Sequence, residues 1–511
     1  MRKLCRVLFS RYAISAIMIV FEVLATVYLA INAWGSLYVL AAVAAVYALA
    51  AIISLINRDA NPEYKTTWAV IIFILPVLGP TLYLLFYQRR MSKKETRLIR
   101  GAIMQMRGHE KENDALESLA EESSRAAGKA LAIMSDDPTA RVYKGTASTF
   151  YSSGEVFFSA MQDDLSKAES FIFLEYFIIE TGELWDRIHA ILREKVKCGV
   201  EVRILYDDIG CMKTLPQGYD KQLAAEGIAV YRFARVNPRV SSVHHNRDHR
   251  KICIIDGKIG YTGGVNIADE YINRKLRFGH WRDGGVRLVG DAVSGLIKLF
   301  LSSWDFTSRT ISDYERFLGA VTPAESADGG YYLPFGSGPY PVYQRPVGKN
   351  AFLNIINQAE RYVYITTPYL IIDYDLTEAL CNAARRGVDV RIITPGIADK
   401  KIIKIMTKSA YPYLIKAGVL IYEYTPGFIH EKTLICDDEY AVIGTINFDY
   451  RSLVHHFEDA VWMYNTECIP TIKEEYFGVV ERSARVDETK SRLTFLEWIF
   501  KNGIRLFAPL L

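Results

Sequence analysis

The chain has 511 residues, half of them hydrophobic and 23% charged, so it can bury two or three cores and is not read as disordered. Its net charge of +3 is too near neutral for nucleic-acid binding through a global field, and any electrostatic partner must be recognised by local clusters. The seven cysteines (Cys5, Cys198, Cys211, Cys253, Cys381, Cys436 and Cys468) are odd in number and contain no C-x-x-C pair, which argues against a disulfide framework and against zinc.

Three apolar stretches open the protein: Tyr12 to Ile31, Leu37 to Ile56 and Trp68 to Tyr87. Each is close to the ~20 residues that cross a bilayer as a helix. A cleaved signal peptide would explain the first alone, so residues 1–90 are expected to form a membrane anchor of two or three apolar helices. Arg2, Lys3, Arg6 and Arg11 precede the first stretch, and Arg89, Arg90, Lys93, Lys94, Arg97 and Arg100 follow the third. The positive-inside tendency places both flanks in the cytoplasm, which three crossings would separate. Either one stretch does not span, Glu22 marking the first and Pro76, Gly79 and Pro80 breaking the third, or the N-terminus is forced outside. Both solutions predict a multi-pass membrane protein with everything after residue 90 on the cytoplasmic side.

Residues 91–140 alternate acids, bases and alanine, which predicts an exposed helical linker. The remainder repeats. Ala168-Glu169-Ser170 leads into an apolar strand from Phe171, followed by a helix and Gly199-Val200-Glu201-Val202-Arg203-Ile204. The second half answers with Ala359-Glu360-Arg361, a strand from Tyr362, a helix and Gly387-Val388-Asp389-Val390-Arg391-Ile392. Each half, 141–325 and 326–511, therefore reads as an α/β sandwich, with the Ala/Gly-rich 320–330 as the join. The tail Phe495 to Leu511 is expected to pack on the core.

Each half also carries the same polar pattern. His249 is followed by Lys251, Asp256 and Asn266; His430 is followed at the same offsets by Lys432, Asp437 and Asn447. Packing a strand requires none of these polar types. In a strand, residues two apart share a face, so His and Lys stand side by side at the leading end of each apolar run. A lone histidine is more often a satisfied polar residue, but eight matched positions do not have that explanation. It does hold for His244, His245, His455 and His456, which lack a duplicate and a metal-type spacing, so no metal is expected.

The pattern H-x-K-x(4)-D, twice, resembles the phospholipase D superfamily. Within it, Asn246 to Lys251, Gly263 to Ala268, Thr367-Pro368-Tyr369 and Gly444 to Ser452 are similar to the bacterial cardiolipin synthase branch. The resemblance implies two tandem phospholipase D-like halves with pseudo-two-fold symmetry. A phosphodiester is an anion with a poor leaving group, so its oxygens must be neutralised, a nucleophile supplied and the leaving alkoxide protonated. Lys251, Lys432, Asn266 and Asn447 would hold the oxygens, one imidazole would attack and the other would act as acid and then base. An attacking imidazole needs its far nitrogen fixed by a carboxylate, and the resemblance gives that role to acids placed like Asp283 and Glu458. Asp256 and Asp437 belong to the same catalytic motif, where they are expected to brace its backbone. His249 lies in a basic run with Arg247 and Arg250, while His430 is followed by Glu431, so His249 is taken as nucleophile.

No P-loop or dinucleotide fingerprint is present, and exchange of one phosphodiester for another needs no cofactor. The resemblance implies a transferase that joins two molecules of phosphatidylglycerol through a phosphatidyl-histidine into cardiolipin and glycerol. Its partners would be phosphatidylglycerol, other anionic phospholipids and the membrane, without nucleic acid; oligomeric state is left open. A hydrolytic phospholipase D, a transferase with another head group and a membrane-tethered nuclease are the alternatives.

Overall fold

The computed structural model describes residues 34–58, 61–86, 114–235, 246–340 and 342–487, with single positions between 97 and 106 and at 503. The first apolar stretch, the basic clusters at 2–11 and 89–94, His244, His245 and nearly all of the tail from Phe495 lie outside these residues.

The first half contributes β1 (Thr146–Tyr151), β2 (Phe171–Tyr176), β3 (Glu201–Asp207), β4 (Ala229–Phe233), β5 (Lys251–Ile255), β6 (Ile259–Gly263), β7 (His280–Arg282) and β8 (Gly285–Gly290). The second contributes β9 (Tyr331–Ser337), β10 (Tyr362–Thr366), β11 (Leu370–Ile371), β12 (Asp389–Pro395), β13 (Leu420–Tyr424), β14 (Gly427–Ile429), β15 (Thr433–Cys436), β16 (Tyr440–Gly444), β17 (Phe448–Asp449), β18 (Glu458–Tyr464) and β19 (Ser483–Arg485). The first large sheet has the order β1-β8-β6-β5-β2-β3-β4, and the second repeats it as β9-β18-β16-β15-β10-β12-β13 with β19 added at the edge. In each, three strands run parallel (β2, β3, β4; β10, β12, β13) and the motif strand, β5 or β15, lies antiparallel beside the first of them.

The crossovers have a local cause. Helices Glu183–Lys197 and Tyr374–Arg385 end before Gly199 and Gly387, whose φ values of +86° and +92° suit only a residue without Cβ. The next amide then turns back, Val200 to the Lys195 carbonyl and Val388 to that of Ala383, and the chain enters β3 or β12.

Alternation along the strands decides what each face buries. On β2, Ile172 and Leu174 join an outer cluster with Trp185 and Ile188 of helix Glu183–Lys197. Phe171 and Phe173 point the other way, into one cluster with Tyr362, Tyr364, Ile435 and Val461 of the second sheet. Each such side chain contributes about 1.5–3 kcal/mol on burial. Because this layer is shared, 114–235 and 246–487 form one compact unit rather than two lobes on a tether.

The expected exposed linker is corrected in part. Helices Ala115–Glu122 and Ser124–Asp136 bury Ala115, Leu119, Ala126, Ala130 and Ile133 in the core of the second half. Their small apolar residues recur at three- and four-residue spacing, so one face is buried, and Lys129 is buried with it, its ammonium over the Tyr440 ring.

The N-terminal helices belong to a separate unit. Helix Trp34–Ile56 runs for 23 residues and has no acidic or basic residue in its end turns. The stretch Trp68 to Tyr87 is not one helix: helix Pro62–Ile74 stops before Pro76 and helix Leu78–Phe86 restarts. Gly79 sits so close to the preceding helix that a Cβ there would lie 2.6 Å from the Ile71 carbonyl oxygen, which fixes the bend. Ala51, Leu55, Trp68, Ile72 and Tyr83 pack together, while Val39, Val43, Val46, Leu49, Ile53 and Phe73 are exposed. Among the fully described residues no helix is long and apolar enough to cross a membrane, so the expected transmembrane helices are not established by the fold.

Candidate active site

Both motif histidines precede their strands and are held by the opposite half. The His249 amide donates to the Phe457 carbonyl at 2.8 Å, and the His430 amide to the Arg282 carbonyl at 2.7 Å. The acid after each carbonyl takes the imidazole: Glu458 Oε2 lies 2.9 Å from His249 Nδ1, and Asp283 Oδ2 lies 2.7 Å from His430 Nδ1. Short parallel pairings carry this exchange, a bridge between Asp248 and Phe457 and the ladder of β14 with β7. With Nδ1 engaged on both rings, Nε2 is the nitrogen each can offer to a substrate.

Lys251 and Lys432 follow in register. Each ammonium donates to the carbonyl of its own histidine, Lys251 to His249 at 2.5 Å and Lys432 to His430, and Lys432 Nζ also lies 2.9 Å from His430 Nδ1. Burial pulls the two lysines down to about 8 and about 7. Burial, then the charges of Lys251 and Lys432, holds His249 well below the ordinary histidine range; burial, then Lys432, Lys251 and His249, does the same to His430. Groups from both halves thus act on one another in one buried site.

The acids are pushed the opposite way. Burial raises Asp283 to about 8 against the pull of Lys432, and Glu458 to about 7 against that of Lys251. The small residues after β6 and β16 explain how the acids fit. At Gly264 a Cβ would fall 2.1 Å from Asp283 Oδ1. The matching Thr445 instead donates its hydroxyl to Glu458 Oε2 at 2.5 Å.

The asparagines divide. Asn266 accepts from the Ile178 amide at 3.0 Å and donates to Tyr271 Oη at 2.6 Å, whereas buried Asn447 Oδ1 has no hydrogen-bond partner. Asp256 and Asp437 are not brought to the imidazoles. Each follows its motif strand with positive φ, +55° and +56°, and caps the neighbouring strand: Asp256 accepts from the amides of Glu169, Ser170 and Phe171 at 2.7–2.9 Å, and Asp437 from those of Glu360, Arg361 and Tyr362 at 2.8 Å. These backbone caps are the bracing contacts expected of the two acids, which although part of the motif lie away from the rings by the length of a strand.

The basic run around His249 is also structural. Arg247 donates twice to Asp207, at 3.0 and 2.7 Å. Arg250 is fully buried and binds the Glu458 and Leu299 carbonyls, Ser303 and Tyr343. Both guanidiniums are taken up by these protein partners, so the positive setting of the imidazoles comes from the lysines, and Glu431 is offset by Arg282 at 3.7 Å.

Sequence reasoning set aside His456, yet its ring lies 5.6 Å from that of His249. Its position two residues before Glu458, as Trp281 stands before Asp283, was the available signal. Among the described residues, His249, His456 and Glu458 bring three potential ligand atoms within 4.8 Å of one another. The ammonium groups of Lys251 and Lys432 oppose a cation there.

Comparison with known proteins agrees with this layout. A family model described as cardiolipin synthase, phospholipase D-like domain, matches residues 161–276 and 352–478, and one described as phospholipase D-nuclease N-terminal matches 44–86. A cardiolipin synthase of Geobacillus sp. is 34% identical over 98% of this chain and 100% of its own length; that of Halalkalibacterium halodurans is 32% identical over 93% and 94%. An uncharacterised protein of Streptococcus mutans is 40% identical over 91% of this chain and 100% of its own. The crystal structure of phosphatidylserine synthase from Haemophilus influenzae shares the fold at 14% identity, with a TM-score of 0.55 over 71% of this chain and 93% of that one. The chain belongs to the cardiolipin synthase family of phospholipase D-like proteins.

Proposed function

We propose that the protein is a membrane-bound phosphatidyltransferase that makes cardiolipin and glycerol from two molecules of phosphatidylglycerol. The observation that carries the reaction is the crossed pair of acid–imidazole contacts, which engages Nδ1 of both histidines and so assigns Nε2 of each to the substrate.

In the first half-reaction His249 Nε2 attacks phosphorus, the bond from phosphorus to the glycerol oxygen breaks, and His430 gives that oxygen its proton. Lys251 and Lys432 neutralise the non-bridging oxygens and the Asn447 amide donates to them, while Asn266 holds the strand end behind them. In the second, a hydroxyl of another phosphatidylglycerol gives its proton to His430, its oxygen attacks phosphorus, and the bond to nitrogen breaks. One phosphodiester replaces another, so no nucleotide is consumed.

The two acids divide the roles. An acid–imidazole pair that holds an extra proton can donate; one that has lost it can attack. Burial raises both acids so that each pair can hold a proton near neutral pH, and in this reading the pair with Asp283 serves as acid and the pair with Glu458 holds the nucleophile.

The substrates stay in the bilayer, and the unit 34–86 supplies the means of staying with them. A row of exposed Val, Leu and Ile along helix Trp34–Ile56 is costly in water and suits acyl chains. This reading includes a multi-pass anchor in the bacterial inner membrane with the catalytic unit on the cytoplasmic side, the basic residues after Tyr87 being its charge signal. The test supplies purified protein with phosphatidylglycerol vesicles, without nucleotide. Cardiolipin and glycerol are expected in equal amounts; phosphatidic acid and glycerol without cardiolipin would overturn the transferase reading in favour of hydrolysis.

A further inference from the structure

The pseudo-two-fold axis relates His456 to Trp281. Each stands two residues before the acid of its half, and each ring lies 5.6 Å from the imidazole that acid holds, Trp281 from His430 and His456 from His249. The interplanar angles are 46° and 42°. The ring beside His430 is therefore inert to proton exchange, and the one beside His249 is not.

The acids differ correspondingly. Asp283 has both oxygens engaged, Oδ2 by His430 and Oδ1 by the Gly284 amide at 2.9 Å. Glu458 Oε2 takes His249 and Thr445, but its Oε1 is buried without a hydrogen-bond partner, and so is His456 Nδ1. These two atoms face each other at 3.8 Å, about 1 Å beyond a hydrogen bond. The Ser452 hydroxyl, also buried without a partner, is a second donor beside this carboxylate and favours its ionised form. Two complementary buried atoms left open beside a reacting group call for a moment at which they close.

We propose that His456 is a positioning residue for the attack on phosphorus: its Nδ1–H closes on Glu458 Oε1 and holds that carboxylate ionised while Oε2 orients His249. The role rests on the phosphatidyl-transfer reading. The need is greatest in the covalent stage, when the phosphorylated imidazole carries positive charge that Glu458 must balance. His456 itself stays neutral: burial, then the charges of His249, Arg451, His455 and Lys251, keeps it well below the ordinary histidine range. A neutral ring can donate from Nδ1 without adding charge to a site already holding two lysines.

The experiment compares the full-length wild type with His456→Leu and His456→Asn, whose amide offers a donor near the Nδ1 position. The readouts are kcat and KM on phosphatidylglycerol vesicles across pH. His456→Leu is expected to lower kcat with KM unchanged and to move the acidic limb upward by about one unit, about tenfold in ionised fraction at a given pH; His456→Asn is expected to restore both. Equal losses in both variants, or an acidic limb that does not move, would overturn it. A turnover-free arm follows the His249 resonance in 15N-histidine-labelled full-length protein in detergent. An upward-shifted titration in His456→Leu supports the role and an unshifted one overturns it, even if the wild type proves not to make cardiolipin, which is a failure of the parent reading alone.

Discussion

Glu458 and His249 stand 209 positions apart in the chain and 2.9 Å apart in space, and the reverse contact, Asp283 with His430, spans 147 positions at 2.7 Å. Each half thus supplies an imidazole to itself and a carboxylate to the other. Neither motif histidine takes its carboxylate from its own half.

Crossing has an energetic signature. Glu458→Gln is expected to lower kcat by about 10²–10⁴-fold, the usual range for a misdirected acid–base imidazole, and Asp283→Asn likewise. In double-mutant cycles His249 should couple to Glu458 by about 0.5–3 kcal/mol and be additive with the more distant partner. Coupling of His249 to Asp283 instead would contradict the geometry.

The covalent step separates the two histidines. With phosphatidylglycerol labelled in its phosphate and rapid denaturing quench, the wild type should retain label on protein and His249→Ala none. His430→Ala should slow both half-reactions, with the cardiolipin rate reduced about 10²–10⁴-fold. Label surviving His249→Ala would exchange the roles.

The acids set a bell-shaped dependence of kcat/KM on pH. The pair with Glu458, raised to about 7, must lose its proton before His249 can attack, so rate rises with pH on that limb. The pair with Asp283, raised to about 8, must keep its proton for His430 to donate, and Lys432 and Lys251, pulled down to about 7 and about 8, must keep theirs to hold the phosphate, so rate falls as pH rises through this range. Glu458→Gln should erase the acidic limb and spare the alkaline one.

Gly264→Ala places a methyl carbon where Asp283 Oδ1 now sits, 2.1 Å away. Displacing that acid should release His430 from its orientation, with kcat reduced about 10²-fold or more and folding retained by thermal melting. An unimpaired variant would mean that the acid has room to move.

Asp256→Ala should act on stability instead. It strips an acceptor from three backbone amides, a loss of about 1–3 kcal/mol for the groups left unpaired, read as a lowered melting temperature. The kcat of the folded fraction should stay close to wild type. A specific loss of kcat would return Asp256 to the chemistry.

The duplicated succession of strand, helix and strand was legible because alternation and the paired Gly-Val-acid-Val-Arg-Ile runs at 199–204 and 387–392 encode local structure. The motif histidines and lysines were legible because two copies at equal offsets exceed what packing demands. Arg247 and Arg250 misled because a run of basic residues does not say which way each side chain turns, and here both turn into the protein onto Asp207, Leu299 and Ser303. His456 was passed over because its meaning depends on a neighbour from the other half.

The sequence by itself determined the halves, their shared topology and the eight motif positions, since each follows from spacing along one chain. Tertiary structure decided which acid serves which imidazole, and that both halves share one buried layer. Those relationships arise where two distant segments meet, and the burial that shifts the acids and the lysines exists only once they have met.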